Sequence, residues 1–132
     1  MATHPPRIAI VEDDASVRKA LARLLKVAKF QPAAYASAEE FLATLKHGAP
    51  DCLLVDYHMP KMTGVDLQSH LREAGICVPV IIITAHNETA IRERCINLGA
   101  SAFLAKPVGR KELLAAIRHS LRTRQPACTL EL

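Results

Sequence analysis

Leu53-Leu54-Val55-Asp56-Tyr57-His58-Met59-Pro60, continued by Lys61-Met62-Thr63-Gly64, is the stretch whose reading decides the fold. A run of branched apolar residues ends abruptly in a carboxylate, and a proline and a glycine follow. Such a run reads as a strand buried on both faces, the kind that parallel sheets require. Asp56 then stands at the carboxyl end of a central strand, on the rim where open α/β sheets bind their ligands.

The rest of the chain alternates strands with helices. Ile8-Ala9-Ile10-Val11 is an apolar strand that stops at Glu12, Asp13 and Asp14. Asp14 is placed to cap the next helix, whose apolar face is Val17, Leu21, Leu24, Leu25 and Ala28. Phe30 to Ala36 is a weak strand, and Ser37 with Glu40 has capping-box spacing ahead of a helix ending near Gly48. A third helix is expected over Gly64 to Ala74, closed by Gly75. Val78 to Ile83 is the most strand-like run and ends in Thr84-Ala85. A fourth helix is expected over about Glu88 to Leu98. A fifth strand, Ser101 to Ala105, leads into Lys106-Pro107, and a last helix covers about Gly109 to Arg122. Five strands alternating with five helices imply a parallel sheet covered on both faces.

Composition narrows the function. The chain has 132 residues, enough for one domain that buries roughly two thirds of its unfolded surface. No apolar run approaches the roughly 18 residues of a membrane span. Met1 to Arg7 lacks a signal-peptide core, so a frayed lead over residues 1–6 and a cytoplasmic location are expected. Cys52, Cys77, Cys95 and Cys128 form no CxxC pair, and neither a disulfide nor a zinc framework is expected from their spacing. No GxGxxG follows the first strand and no GxxxxGK[ST] occurs, which removes the common nucleotide-binding loops. Lysine and arginine number 17 against 13 acids, an excess that suits a solvated surface and does not by itself imply DNA.

Chemistry gathers at the strand ends. The first gives Glu12 and Asp13, the third Asp56, the fourth Thr84 and the fifth Lys106. Ends of one polarity share one rim of a parallel sheet, so three carboxylates, a hydroxyl and an ammonium converge. Crowded carboxylates repel, and an oxygen-only ligand set suits Mg2+. Asp56 is the candidate nucleophile, because carboxylates form acyl-phosphates in phosphoryl transfer. Lys106 and Thr84 are then placed to hold phosphoryl oxygens.

This combination of an acid pair, an aspartate before Met-Pro and Gly, a Thr-Ala and a Lys-Pro resembles the receiver domain of two-component response regulators. The resemblance covers about Arg7 to Leu121. It implies the chemotaxis-receiver (CheY-like) flavodoxin fold, (βα)5 with strand order 2-1-3-4-5, over residues 7–122, leaving 123–132 as a loose tail or the start of a linker. By position it makes Asp56 the phosphoacceptor, and Glu12, Asp13, Asp56 and the backbone carbonyl of His58 the Mg2+ ligands. It makes Thr84 and Phe103 the switch pair and Lys106 the phosphate-binding lysine. The stretch Ser37-Ala38-Glu39-Glu40-Phe41-Leu42 further resembles the nitrogen-fixation (FixJ-like) branch.

A signalling switch rather than an enzyme is therefore expected, with a sensor histidine kinase as phosphoryl donor and a homodimer on phosphorylation as a further partner. Its output would run through the fourth helix, fifth strand and fifth helix. Neither membrane attachment nor direct nucleic-acid binding is expected. Two alternatives stand beside this reading: a phosphorylation-independent interaction module, and a small phosphatase with an aspartate nucleophile. The latter class wants a second aspartate two positions on, where this chain has His58. Lys29 stands where many relatives have glycine, so a left-handed backbone is expected there. His58 and His86 flank the phosphate position, either as exposed loop residues or as groups bordering the attacking water. Arg18, Lys19, Arg23, Lys26 and Lys29 are expected to join Lys111, Arg118, Arg122 and Arg124 in one basic face.

Overall fold

A computed structural model describes residues 4–85 and 89–123. Its elements are β1 (Arg7–Val11), α1 (Ala15–Val27), β2 (Gln31–Tyr35), α2 (Ala38–Ala43), a 3-10 turn (Leu45–His47), β3 (Cys52–Asp56), α3 (Gly64–Glu73), β4 (Val80–Thr84), α4 (Thr89–Asn97), β5 (Ala102–Ala105) and α5 (Arg110–Arg122). The five strands form one parallel sheet in the order 2-1-3-4-5. This is the expected doubly wound architecture.

Residue parity along each strand divides the core between the two faces of the sheet. Ile8, Ile10, Cys52, Leu54, Ile81, Ile83 and Leu104 pack on one side with Leu25 of α1 and Leu113, Leu114 and Ile117 of α5. Ala9, Val11, Leu53, Val55, Val80, Ile82 and Phe103 pack on the other, under Phe41 of α2, Val65, Leu67 and Leu71 of α3 and Cys95 of α4. Every residue of β3 and of β4 is buried, as expected of central strands covered twice. β2 lies at the sheet edge and carries Pro32, which an edge strand tolerates because it needs fewer ladder bonds.

Local signals set the helix ends. Asp14 caps α1 by accepting from the backbone N–H groups of Ser16 and Val17. Ser37 accepts from the Glu40 N–H, but the Glu40 carboxylate reaches back to the N–H of Ala36 instead of Ser37, so half of the expected box forms. A complete box closes the start of α3: Thr63 Oγ1 accepts from Asp66 N–H while the Asp66 carboxylate accepts from Thr63 N–H. α1, α3 and α4 finish alike, with the left-handed residues Lys29 (φ 74), Gly75 (φ 73) and Gly99 (φ 98). The N–H one residue further on then bonds back to Leu25, Leu71 and Cys95 respectively, the Schellman arrangement. Lys29 adopts the conformation expected of it, where the other two helices use glycine.

One expectation fails. Cys77 is disulfide-bonded, although spacing along the chain gave no sign of a bridge. Bridging depends on proximity and side-chain direction in the fold, which linear spacing does not encode. Cys52 and Cys95 are buried, as expected of small apolar residues.

Candidate functional site

The register of the parallel strands assembles the rim. Val11 is level with Val55 and Asp56 with Ile83, so Glu12, Asp56 and Thr84 follow one another across neighbouring strand ends. Thr84 is level with Ala105, which places Lys106 one residue beyond it. Strand alternation sends Asp56 and Glu12 toward the α1/α5 side, and Thr84 toward the α3/α4 side along with Phe103.

One oxygen from each of Glu12, Asp13 and Asp56 lies within 4.8 Å of the other two. Glu12 and Asp56 are buried, at 2% and 7% exposure, whereas Asp13 is open to solvent. The Lys106 ammonium bridges the two buried acids, 3.3 Å from Glu12 Oε1 and 3.3 Å from Asp56 Oδ2. Burial pushes the Glu12 carboxyl above its ordinary range, and the charge of Asp56 adds to this. The Asp14 N–H and the Lys106 ammonium pull the other way without cancelling it. Burial pulls the Lys106 ammonium down, but attraction to Asp56 and Glu12 outweighs it and holds that group above its ordinary value.

Backbone contacts hold the loops. Asp14 N–H donates to Glu12 Oε2 at 3.1 Å, and His58 N–H donates to Asp56 Oδ1 at 3.3 Å. Lys106 N–H donates to the Thr84 carbonyl at 2.8 Å, tying the ends of β4 and β5. Gly64 N–H donates to the Tyr57 carbonyl at 3.1 Å and draws the start of α3 against the loop that follows Asp56. A Cβ on Gly64 would meet Ile82 Cδ1 at 3.1 Å, Tyr57 Cα at 3.3 Å and Val55 Cγ1 at 3.3 Å. The glycine there answers a close approach of backbone to core.

Glu12, Asp13, Asp56 and Lys106 are thus brought together as a cluster, and Thr84 ends the adjoining strand, fully buried. Phe103 is buried at 8%, its ring packed inward on the face that α4 covers. The exposed His58 side chain sits edge-on to the Tyr57 ring, 4.7 Å between centroids. His86 lies outside the described residues.

Arg18, expected on an outer basic face, turns inward. Its Nη1 donates to the Glu12 carbonyl at 2.8 Å and so pins the loop that carries the acid pair. A helical arginine looks the same in sequence whether it points outward or back over the preceding strand, so no signal marked this role. The expected basic face also includes Arg124, which lies outside the described residues.

Three carboxylates beside one ammonium, at the carboxyl ends of adjacent strands, suit a hard divalent cation and a phosphoryl group. Comparison with known proteins bears on the family. Residues 8–118 match the family described as the response regulator receiver domain. The chain is 36% identical over 115 residues to the response regulator protein TodT of Pseudomonas putida, covering 87% of this chain and 51% of TodT. It is 35% identical over 108 residues to nodulation protein W of Bradyrhizobium diazoefficiens, covering 82% of this chain and 48% of that protein. It spans about half the length of these curated relatives. Among solved structures, FixJ-N superposes with a TM-score of 0.85 at 31% identity, over 95% of this chain and 98% of FixJ-N. The response regulator StyR gives 0.84 at 35% identity, over 91% and 61% of the respective chains. Fold, rim chemistry and similarity agree: the chain belongs to the response regulator receiver family.

Proposed function

We propose that this receiver is a phosphorylation-activated switch in which Asp56 accepts a phosphoryl group from a sensor histidine kinase. The observation that carries the reading is the Lys106 ammonium held between Glu12 and Asp56 at the mouth of the sheet. That arrangement supplies a nucleophile, a positive charge for an arriving phosphoryl group and a carboxylate set that needs a cation.

Glu12, Asp13 and Asp56 would hold Mg2+, together with the carbonyl of His58. Their three carboxylates within 4.8 Å fit a hard, oxygen-seeking ion. When bound, Mg2+ supplies the charge that offsets carboxylate repulsion and the negative phosphoryl oxygens. Asp56 Oδ forms a bond to phosphorus as the bond from phosphorus to the donor imidazole nitrogen breaks, and the nitrogen keeps that electron pair. The Lys106 ammonium stays protonated and moves from Asp56 toward a phosphoryl oxygen. The Thr84 hydroxyl donates to another, and the small Ala85 leaves the approach open.

The switch follows from the face that Thr84 and Phe103 share. A phosphoryl group favours one arrangement only through contacts that it makes better there. Its hold on Thr84 favours the inward Phe103 ring seen here over an outward one, and that choice reshapes the α4–β5–α5 surface. The domain responsible is residues 7–122. The chain acts as a switch and not a turnover enzyme, because one acyl-phosphate is its product. A homodimer on phosphorylation is one output of the reshaped surface.

Beryllium fluoride with Mg2+ tests this reading through 1H–15N spectra. Signals of Thr84, Phe103, Ala105 and α4 should move in the wild type and stay still in Asp56→Asn. Spectra of the wild type that do not respond would leave the phosphorylation-independent interaction module as the better account.

A further inference from the structure

At the sheet edge away from the phosphoacceptor rim, α1 and β2 leave a groove of about 510 Å3 lined by Ala22, Arg23, Lys26, Val27, Pro32 and Ala34. Its floor is apolar. Val27 is 62% exposed, and it is one of two large hydrophobic residues that stand out from the surface among the described residues. The rim is cationic, and α1 carries Arg18, Lys19, Arg23 and Lys26 without a single acid. Arg18 is engaged by the Glu12 carbonyl. Arg23 and Lys26 have no ion-pair partner among the described residues. Lys19 and Arg23 are four residues apart and Arg23 and Lys26 three apart, spacings at which like charges repel along a helix. Among the described residues nothing offsets this charge pattern, which suits an anion from outside.

We propose that this groove is a docking surface for an acidic polypeptide segment that presents one apolar side chain between its carboxylates. The apolar side chain would cover Val27 and the floor made by Ala22, Pro32 and Ala34, while the carboxylates meet Arg23 and Lys26. Strand addition at this edge is disfavoured because Pro32 has no N–H to offer. Recognition therefore rests on side chains. A nucleic-acid backbone would satisfy the rim but leave the apolar floor uncovered, and no aromatic residue lines the groove to stack on a base. The surface is separate from the rim that holds Asp56, so occupancy does not depend on phosphorylation.

The test titrates the 15N-labelled full chain with a synthetic peptide of repeated Glu-Glu-Leu units. Controls are the same peptide with Ser replacing Leu, and a short DNA duplex. The Glu-Glu-Leu peptide should shift the amides of Ala22, Val27 and Ala34. The paired change Arg23→Glu with Lys26→Glu should weaken binding about tenfold or more, as removing charge complementarity does. Val27→Ser, which leaves the rim intact, should weaken it severalfold, and Asp56→Asn should leave it unchanged. An absence of shifts in the groove would overturn the proposal. So would binding of the Ser peptide or of the duplex as tight as that of the Leu peptide, since either would reduce the surface to unspecific charge.

Discussion

At the scale of single residues, two lysines carry opposite lessons. Lys29 sits at φ 74 at the end of α1, in the arrangement that Gly75 and Gly99 serve elsewhere. Lys29→Gly should stabilise the fold by about 0.5–1 kcal/mol, the left-handed cost relieved less the entropy added to the unfolded chain. Urea unfolding would read this as a higher midpoint at an unchanged slope. Lys106 is the opposite case, since its charge holds two buried acids together. Lys106→Ala should cost about 1–2 kcal/mol in magnesium-free buffer, less than a fully buried pair because the ammonium is partly exposed. Thermal melts should show added Mg2+ recovering part of that loss, because the cation replaces the missing charge. The sequence showed both lysines in their places, one by a missing glycine and one by the strand end before a proline. It did not show that Arg18 turns back onto the Glu12 carbonyl, because only the packed helix decides its direction.

At the scale of elements, the start and the middle of α3 matter most. Its start is fixed by Gly64 against Val55, Tyr57 and Ile82. Gly64→Ala should cost about 1–3 kcal/mol through overpacking. The same change should displace the Tyr57 and His58 backbone signals, linking the core to the loop after Asp56. Further along, Gln68 is 4% exposed and reaches across to α4, its Nε2 donating to the Cys95 carbonyl at 3.2 Å. Among the described residues its buried Oε1 has no partner, and the Cys95 carbonyl already accepts from Ala100 N–H. Gln68→Leu should therefore stay within about 0.5 kcal/mol of wild type, while Gln68→Ala should lose about 1–3 kcal/mol to the cavity. Chemical denaturation of the two variants separates a packing role from a hydrogen-bonding one. Helix existence was legible from apolar periodicity, whereas the Thr63–Asp66 box uses Asp in place of the usual Glu or Gln and carries a weaker signal. The Glu40 carboxylate chose Ala36 over Ser37 for reasons of local loop geometry that spacing does not carry.

At the scale of the whole molecule, alternating apolar runs and amphipathic segments made the doubly wound sheet legible. The order of its strands came from family resemblance, since nothing in the residues ranks one parallel pairing over another. The acid, hydroxyl and lysine positions were legible because a parallel sheet puts like strand ends on one rim. The inward Phe103 ring and the Cys77 bridge were not, since both depend on tertiary neighbours. The groove beside α1 was not legible for a related reason: its apolar floor is shared between a helix and a strand of different periodicity.

The central claim is that Asp56 takes the phosphoryl group. Intact-mass spectrometry after incubation with acetyl phosphate and Mg2+ tests it most directly, in wild type and Asp56→Asn side by side. The expected result is a gain of one phosphoryl group by the wild type, prevented by a chelator and absent from Asp56→Asn. No gain by the wild type, or the same gain retained by Asp56→Asn, would contradict the account.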